Sequence, residues 1–388
     1  MFMDKMAPGI LRLSVMDNDI DLFEGQYPVP DGVSYNSYLI EDEQLCLLDT
    51  VDARKQDEWL GGLNEALDGR KLDYLVISHM EPDHAGSIAA LCACQPQVKL
   101  VANAKTFVML DQFTGEHPLV QERITVGEGG TLALGSHTLH FVLAPMVHWP
   151  EVMAAYEDSQ KVLFSADGFG NFGSLTYTDA WADEARRYYC NIVGKYGVQV
   201  QGLLKKAAAL DIQTVCPLHG PQLSGDALTR ALALYSLWAA WKPEESGVLV
   251  AYAGFHGHTA EAAKLLAEKL HALGETVEVV DLNRVHKSYA VASAFKFDRM
   301  ALCAATYDGA YAPAMEAFIS ALKLKGLQGR TVALVENGTW APMAAKQMRA
   351  ALETMKNMQA LDQQVTIRSA MNAKNREEIE ELAKKLVM

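Results

Sequence analysis

The chain lacks any Cys-x-x-Cys pair. Its six cysteines, Cys46, Cys92, Cys94, Cys190, Cys216 and Cys303, are scattered, which excludes zinc ribbons, rubredoxin-type iron sites and thioredoxin motifs and fits reduced thiols in a cytoplasmic setting. Long hydrophobic runs are also missing. The longest, Ala231 to Trp241, is well short of the ~20 residues of a spanning helix and reads as a core helix, so no membrane association is expected. Met1 to Ile20 carries scattered acids and no continuous apolar segment, so neither a signal peptide nor an anchor is visible. Positive charge is in the minority, with 34 Lys and Arg against 48 Asp and Glu and a net charge of −14. That balance argues against a nucleic-acid partner, which needs clustered cations, and fits a small soluble one.

What is present suffices for two cores: 388 residues, 50% hydrophobic and 21% charged, an ordinary globular composition. The pattern predicts an α/β chain with domains over 1–243 and 247–388. In the first, short strands are expected at Ser34–Ile40, Gln44–Asp49, Leu72–Ser78, Val98–Ala102, Thr138–Leu143, Lys161–Ser165 and Thr214–Pro217, with helices at Ala180–Tyr196 and Leu228–Trp241. Lys242 to Gly247 is polar, contains a proline and reads as a break. Beyond it, strands at Val248–Tyr252, Thr276–Val280, Met300–Ala305, Thr331–Val335 and Val365–Arg368 alternate with helices at Thr259–Leu273, Ala312–Leu324, Pro342–Lys356 and Asn375–Val387. This is the pattern of a doubly wound parallel sheet, whose ligand belongs at the carboxyl ends of the strands.

The densest chemistry is His79-Met80-Glu81-Pro82-Asp83-His84, which sets His79, Glu81, Asp83 and His84 directly after the apolar strand Tyr74–Ser78. Two imidazoles and two carboxylates on the end of a rigid strand point to a metal site, where a solvated polar turn would explain a lone histidine. His148, Asp167 and His219 each follow a strand end in the same way. The set resembles the metallo-β-lactamase superfamily, with Glu81 where that signature has histidine. A site this rich in carboxylate suits iron better than zinc. Four imidazoles and three carboxylates around two ferrous ions leave a net charge near +1, which a buried site tolerates.

The second domain adds an independent signal. Gly254, Phe255, His256, Gly257, His258 and Thr259 form a glycine-bearing turn into a helix, where free N–H groups attract a phosphate. Thr306, Tyr307, Asp308 and Gly309 follow the third strand, and Asn337, Gly338, Thr339 and Trp340 the fourth. Tyr307 and Trp340 either flank an isoalloxazine or cap the sheet as core residues. These loops resemble short-chain flavodoxins and imply FMN, although Ala253, Gly254 and His258 stand where hydroxyl residues are common.

Together the two halves are similar to the flavodiiron proteins. That resemblance implies an N-terminal metallo-β-lactamase-like αββα sandwich followed by a C-terminal flavodoxin-like sheet. It implies two non-haem irons, one on His79, Glu81, His148 and Asp167 and one on Asp83, His84, Asp167 and His219, with Asp167 shared. It implies reduction of dioxygen to water, of nitric oxide to nitrous oxide, or both. Without rubredoxin cysteines in the chain, electrons are expected from a separate rubredoxin or a reduced deazaflavin coenzyme. A head-to-tail homodimer, or a dimer of dimers, is the expected assembly. Glu24 stands where many members have histidine near the iron pocket, and Trp149 either lines that pocket or packs. Two rival functions stay open: a metal-dependent hydrolase fused to a flavodoxin domain, and a non-catalytic redox sensor.

Overall fold

The computed structural model describes all residues, 1–388, and divides them into two compact units. One comprises Met1–Tyr188 with Val198–Ser236, the other Tyr189–Gly197 with Leu237–Met388.

The first unit is built on two sheets. The larger has the order Phe2–Ala7, Ile10–Asp17, Val33–Ile40, Cys46–Leu48, Tyr74–Val76, Lys99–Ala102, Arg123–Thr125. Its first four strands are antiparallel neighbours and the last three pairings are parallel. Parallel neighbours need crossovers, supplied by helices such as Gln56–Leu67, Ile88–Cys94 and Ala104–Thr114. The smaller sheet runs Thr131–Ala133, Thr138–Leu143, Met153–Glu157, Val162–Phe164, Thr214–Cys216, Leu223–Ser224. Tyr38, Leu48, Val76 and Val101 from one sheet and Phe141, Met153, Phe164 and Cys216 from the other form one buried cluster, so the sheets pack face to face. All eight residues of Val33–Ile40 are buried, as expected of a strand covered on both faces.

The second unit is one sheet of five parallel strands, in the order Val277–Asp281, Glu245–Ala253, Phe297–Tyr307, Thr331–Asn337, Gln359–Ile367. By chain order this is 2-1-3-4-5. Its switch point lies between the first and third strands, where a ligand is expected outside the carboxyl ends.

Several elements differ from the sequence-based expectation. Ile10–Asp17 is a fully paired strand although it carries Arg12 and Asp17. Both are buried, and Arg12 is neutralised by Asp4 at 2.7 Å, so the charges hide an interior strand. The helix predicted over 180–196 is composite: α-helix Trp181–Tyr188, a π turn at Tyr189–Val193 and a 3-10 turn at Gly194–Tyr196. The predicted break holds the start of a strand, because Glu245 already pairs with Phe297. Gly247 fits there because any Cβ would fall 2.5 Å from the Phe297 ring. Helix Lys287–Lys296, absent from the expectation, is started by the His286 side chain accepting from Ser288 N–H.

Candidate metal centre and flavin cradle

Each metal-ligand candidate follows a strand end of the first unit. His79, Glu81, Asp83 and His84 follow Tyr74–Val76, His148 follows Thr138–Leu143, Asp167 follows Val162–Phe164 and His219 follows Thr214–Cys216. The start of the first loop is pinned by Asp49, whose Oδ1 accepts from the N–H groups of Ser78 at 2.7 Å and His79 at 3.3 Å. Burial pushes the Asp49 carboxyl up to about 6. Pro82 at the first position of a one-turn helix fixes the backbone through Asp83 and His84. His84 C=O then accepts from both Thr50 N–H and Thr50 Oγ1–H. Met146 and Ala166, each within two residues of a candidate ligand, and Asp49, which hydrogen-bonds the start of the first ligand loop, hold positive φ without being glycine. Such strain collects where surrounding structure fixes a functional loop.

All seven candidates converge as two groups, His79 with Glu81, His148 and Asp167, and Asp83 with His84 and His219. Asp167 joins them. Its Oδ2 lies 3.1 Å from His148 Nε2 and 3.4 Å from His79 Nε2, while its Oδ1 lies 3.1 Å from His84 Nε2 and 3.7 Å from His219 Nε2. Glu81 Oε2 is 3.0 Å from His148 Nε2, and Asp83 Oδ2 is 3.2 Å from His219 Nε2. These are the separations of neighbouring ligands on an ion with bonds of about 2.1 Å.

The residues fit cations. Neither oxygen of buried Asp83 has a hydrogen-bond partner, and Asp167 Oδ1 is out of hydrogen-bond alignment despite its nearby imidazoles. His84 Nε2 and His219 Nε2 face each other at 3.1 Å, where one shared proton or one metal ion reconciles two lone pairs. Burial raises the pKa of Asp167, but the surrounding imidazoles overcome it and hold the carboxyl well below the usual range. Burial disfavours the His148 cation, yet Asp167 and Glu81 push this imidazole up to about 9.

Two contributors, Glu151 and Tyr188, escaped sequence reasoning, and Trp149 and Glu24 were singled out by it. Glu151, 1% exposed, accepts from His79 Nδ1 at 2.8 Å and from Met80 N–H at 2.9 Å. Tyr188 is fully buried, its ring 5.5 Å from that of His219, and its hydroxyl has no partner. Only the clustering of tyrosines after Arg186-Arg187 hinted at it. Trp149 is half-buried and stands edge-on to the His79 ring at 5.2 Å and to the His148 ring at 6.3 Å. Glu24 occupies the tip of a two-stranded turn with φ 51°. Burial of its carboxyl, then the charge of Glu81, pushes it up to about 7, although the residue as a whole is exposed.

In the second unit the predicted cradle residues lie at the carboxyl ends of strands. Gly254 is required by packing, since a Cβ there would fall 2.7 Å from Thr259 Cβ. Its C=O accepts from Asn283 Nδ2 at 2.7 Å. Gly257, with φ 91°, leads into helix His258–Ala272, on which Thr259 is 4% exposed, while His256 points to solvent. The Phe255 and Tyr307 rings lie 5.2 Å apart and both are about half exposed. Trp340 is 86% exposed, so it caps no core. Thr306 Oγ1 accepts from Met343 and Ala344 N–H, Asn337 exchanges two hydrogen bonds with Ser369, and Thr339 Oγ1 meets Ser369 Oγ at 2.9 Å. Asp308 and Gly309 form the positive-φ turn joining Tyr307 to Ala310, and Gly338 leaves no room for a Cβ against Pro342. Side chains here brace the loops, leaving backbone groups and exposed rings for a flavin.

Residues 33–220 match the family described as ODP family beta lactamase, and residues 249–384 match a flavodoxin domain family. Rubredoxin-oxygen oxidoreductase of Megalodesulfovibrio gigas is 33% identical over 297 residues, covering 73% of this chain and 72% of the relative. The chain belongs to the flavodiiron family. The solved rubredoxin oxygen:oxidoreductase of Desulfovibrio gigas superposes on this flavodiiron chain with a TM-score of 0.92 at 26% identity, over 99% of this chain and 98% of the other. The flavodiiron protein of Giardia intestinalis, at 23% identity and a TM-score of 0.91 over 100% and 96% of the two chains, shares the fold. Anaerobic nitric oxide reductase flavorubredoxin of Aliivibrio salmonicida is 28% identical over 81% of this chain and 64% of its own length. The chain spans about half the length of a diflavin flavoprotein from Synechocystis. No helix is long and apolar enough to cross a membrane.

Proposed function

We propose that the protein reduces dioxygen to water, nitric oxide to nitrous oxide, or both, with two irons in the first unit and FMN in the second. His79, Glu81, His148 and Asp167 hold one iron, and Asp83, His84, Asp167 and His219 the other. The observation that carries this reading is Asp167, whose two oxygens face two separate ligand groups. Reduced FMN and a diferrous pair together supply four electrons, the number dioxygen needs to become two waters, whereas two nitric oxide molecules need two.

The chain's own residues prepare the site for this chemistry. Asp167 fixes the spacing of the two positions. Trp149, packed edge-on to two ligands, limits water on that side, where a dry site strengthens every polar contact. The Tyr188 hydroxyl, unpartnered and on a ring 5.5 Å from that of His219, would be a hydrogen-bond donor for a gas at the site. On the flavin side, free backbone N–H groups at the start of helix His258–Ala272 would take the phosphate, and Tyr307 and Trp340 would be the rings available to flank the isoalloxazine.

A separate rubredoxin is the proposed donor, since the relatives named for rubredoxin support it and the chain has no Cys-x-x-Cys pair with which to hold a rubredoxin-type iron itself. Head-to-tail pairing of two copies completes the proposal, in the cytoplasm, with domains over 1–243 and 247–388. The test is anaerobic reduction of the purified protein followed by separate oxygen and nitric oxide consumption assays, with iron and flavin measured on the same sample. About two irons per chain with gas consumption is expected. Two tightly held zincs and no consumption after iron loading would return the chain to the hydrolase reading.

A further inference from the structure

We propose that Glu151 is a positioning residue that makes the His79–Glu81–His148 position the tighter and more electron-rich of the two metal positions, leaving Asp83–His84–His219 as the exchangeable one. The inference rests on the ligand assignment proposed above.

The ligand histidines are backed unequally. His79 donates from Nδ1 to the Glu151 carboxylate at 2.8 Å, with both side chains buried. His219 has only a neutral acceptor behind it, donating from Nδ1 to the Ser34 carbonyl at 2.7 Å. His84 Nδ1 is buried with no hydrogen-bond partner, and the Asp49 carboxylate acts on this imidazole only through space. An imidazole whose far nitrogen donates to a carboxylate is fixed in one tautomer and rotamer, and its near nitrogen becomes a stronger donor. Both effects are absent at His84 and weaker at His219.

Glu151 is itself firmly held. Its Oε1 also accepts from Met80 N–H, and its backbone carbonyl accepts from Asn103 Nδ2 at 2.6 Å. Asn103 in turn caps helix Ala104–Thr114, accepting from Lys105 and Thr106 N–H. A whole helix therefore locates the carboxylate behind His79. Its second oxygen, Oε2, is buried without a hydrogen-bond partner, so its charge stays undiluted in a low-dielectric interior. Both positions have two ligating carboxylates, counting Asp167 for each. The first has a further anion directly behind a ligand.

The test uses full-length, FMN-loaded protein stripped of metal by chelation and titrated with Co²⁺, followed by visible absorption and calorimetry. Wild type is expected to take up Co²⁺ in two resolved steps. Glu151→Gln keeps an acceptor for His79 and Met80 but removes the charge. It should weaken the tighter step by about 10- to 100-fold, leave the other unchanged, and so merge them. Glu151→Asp, which keeps the charge, should recover part of the difference. Added to His219→Ala, which leaves only the first position intact, Glu151→Gln should still weaken binding; added to His148→Ala it should not. In iron-loaded protein, Glu151→Gln should raise the potential of the metal pair and leave that of the flavin unmoved. Equal weakening of both steps, or no change in either, would overturn the role of Glu151. Failure of wild type to bind two Co²⁺ would instead overturn the ligand assignment on which it stands. Unchanged flavin content and melting temperature establish that the variants are folded.

Discussion

Asp167 Oδ1 lies 3.1 Å from His84 Nε2 while the other oxygen of the same carboxylate faces His148. One side chain thus belongs to both ligand groups, and its loss should be felt by both. Asp167→Asn is expected to leave less than half an ion per chain, whereas Asp83→Ala should leave about one. Flavin content should be the same in both variants, because the flavin unit has its own core. Metal and flavin analysis of the two proteins checks this.

Protons and metal ions compete for the same nitrogens. In the metal-free chain His148 is pushed up to about 9, so its imidazole is protonated at neutral pH and must lose that proton to bind a cation. Burial disfavours the His79 and His84 cations too, yet neighbouring carboxylates raise both, so metal affinity should rise as pH increases, by about tenfold per unit for each proton released. Calorimetry in two buffers of different ionisation enthalpy counts the protons, and a count of zero at pH 7 would contradict the expectation.

Tyr188→Phe removes a buried hydroxyl that has no protein partner. Deleting an unpaired group has no hydrogen bond to lose, so thermal unfolding should occur at the wild-type temperature or slightly above it. If the hydroxyl meets the bound gas, KM for oxygen or nitric oxide should rise several-fold in the same protein. A fall in stability together with unchanged KM would make Tyr188 a packing residue.

Trp340 is 86% exposed, so Trp340→Ala should change stability by less than about 0.5 kcal/mol. Loss of a ring flanking the isoalloxazine should nevertheless weaken FMN binding by about 1 kcal/mol, roughly fivefold. Fluorescence titration of the flavin-free protein measures it.

Head-to-tail pairing predicts complementation. A verified mixed dimer of an iron-dead chain, Asp83→Ala with His219→Ala, and a chain with its FMN site destroyed contains one intact composite site. About half of wild-type activity per dimer is expected, and an inactive mixed dimer would rule out electron transfer between chains.

The residues that converge into the two groups were legible in the sequence because polar residues that abruptly end an apolar strand leave a local trace, as His79 to His84 do after Val76. The five parallel strands of the second unit were legible for the same reason, as short, mainly apolar runs that give way to polar loops. What was hidden depends on contacts distant in sequence. Ile10–Asp17 is interrupted by Arg12, Ser14 and Asp17, and it reads as an interior strand only once Arg12 is seen against Asp4. Glu151 looks like a surface residue after Pro150 until His79, 72 positions away, is found against it. Helix Gln56–Leu67 contains Gly61 and Gly62, which weaken its helical pattern, and only the fold shows the Met1 side chain filling the space beside Gly62.

The positive φ of Ala166, one residue before Asp167, has a consequence for how this protein tolerates change over generations. Glycine at that position would relieve backbone strain, so selection for thermal robustness alone would favour the exchange. It would also free the backbone beside Asp167, the one carboxylate whose two oxygens face both groups. A lineage that accepted the substitution would gain endurance and lose definition at its reaction centre, so alanine here should persist only while the chemistry is under selection.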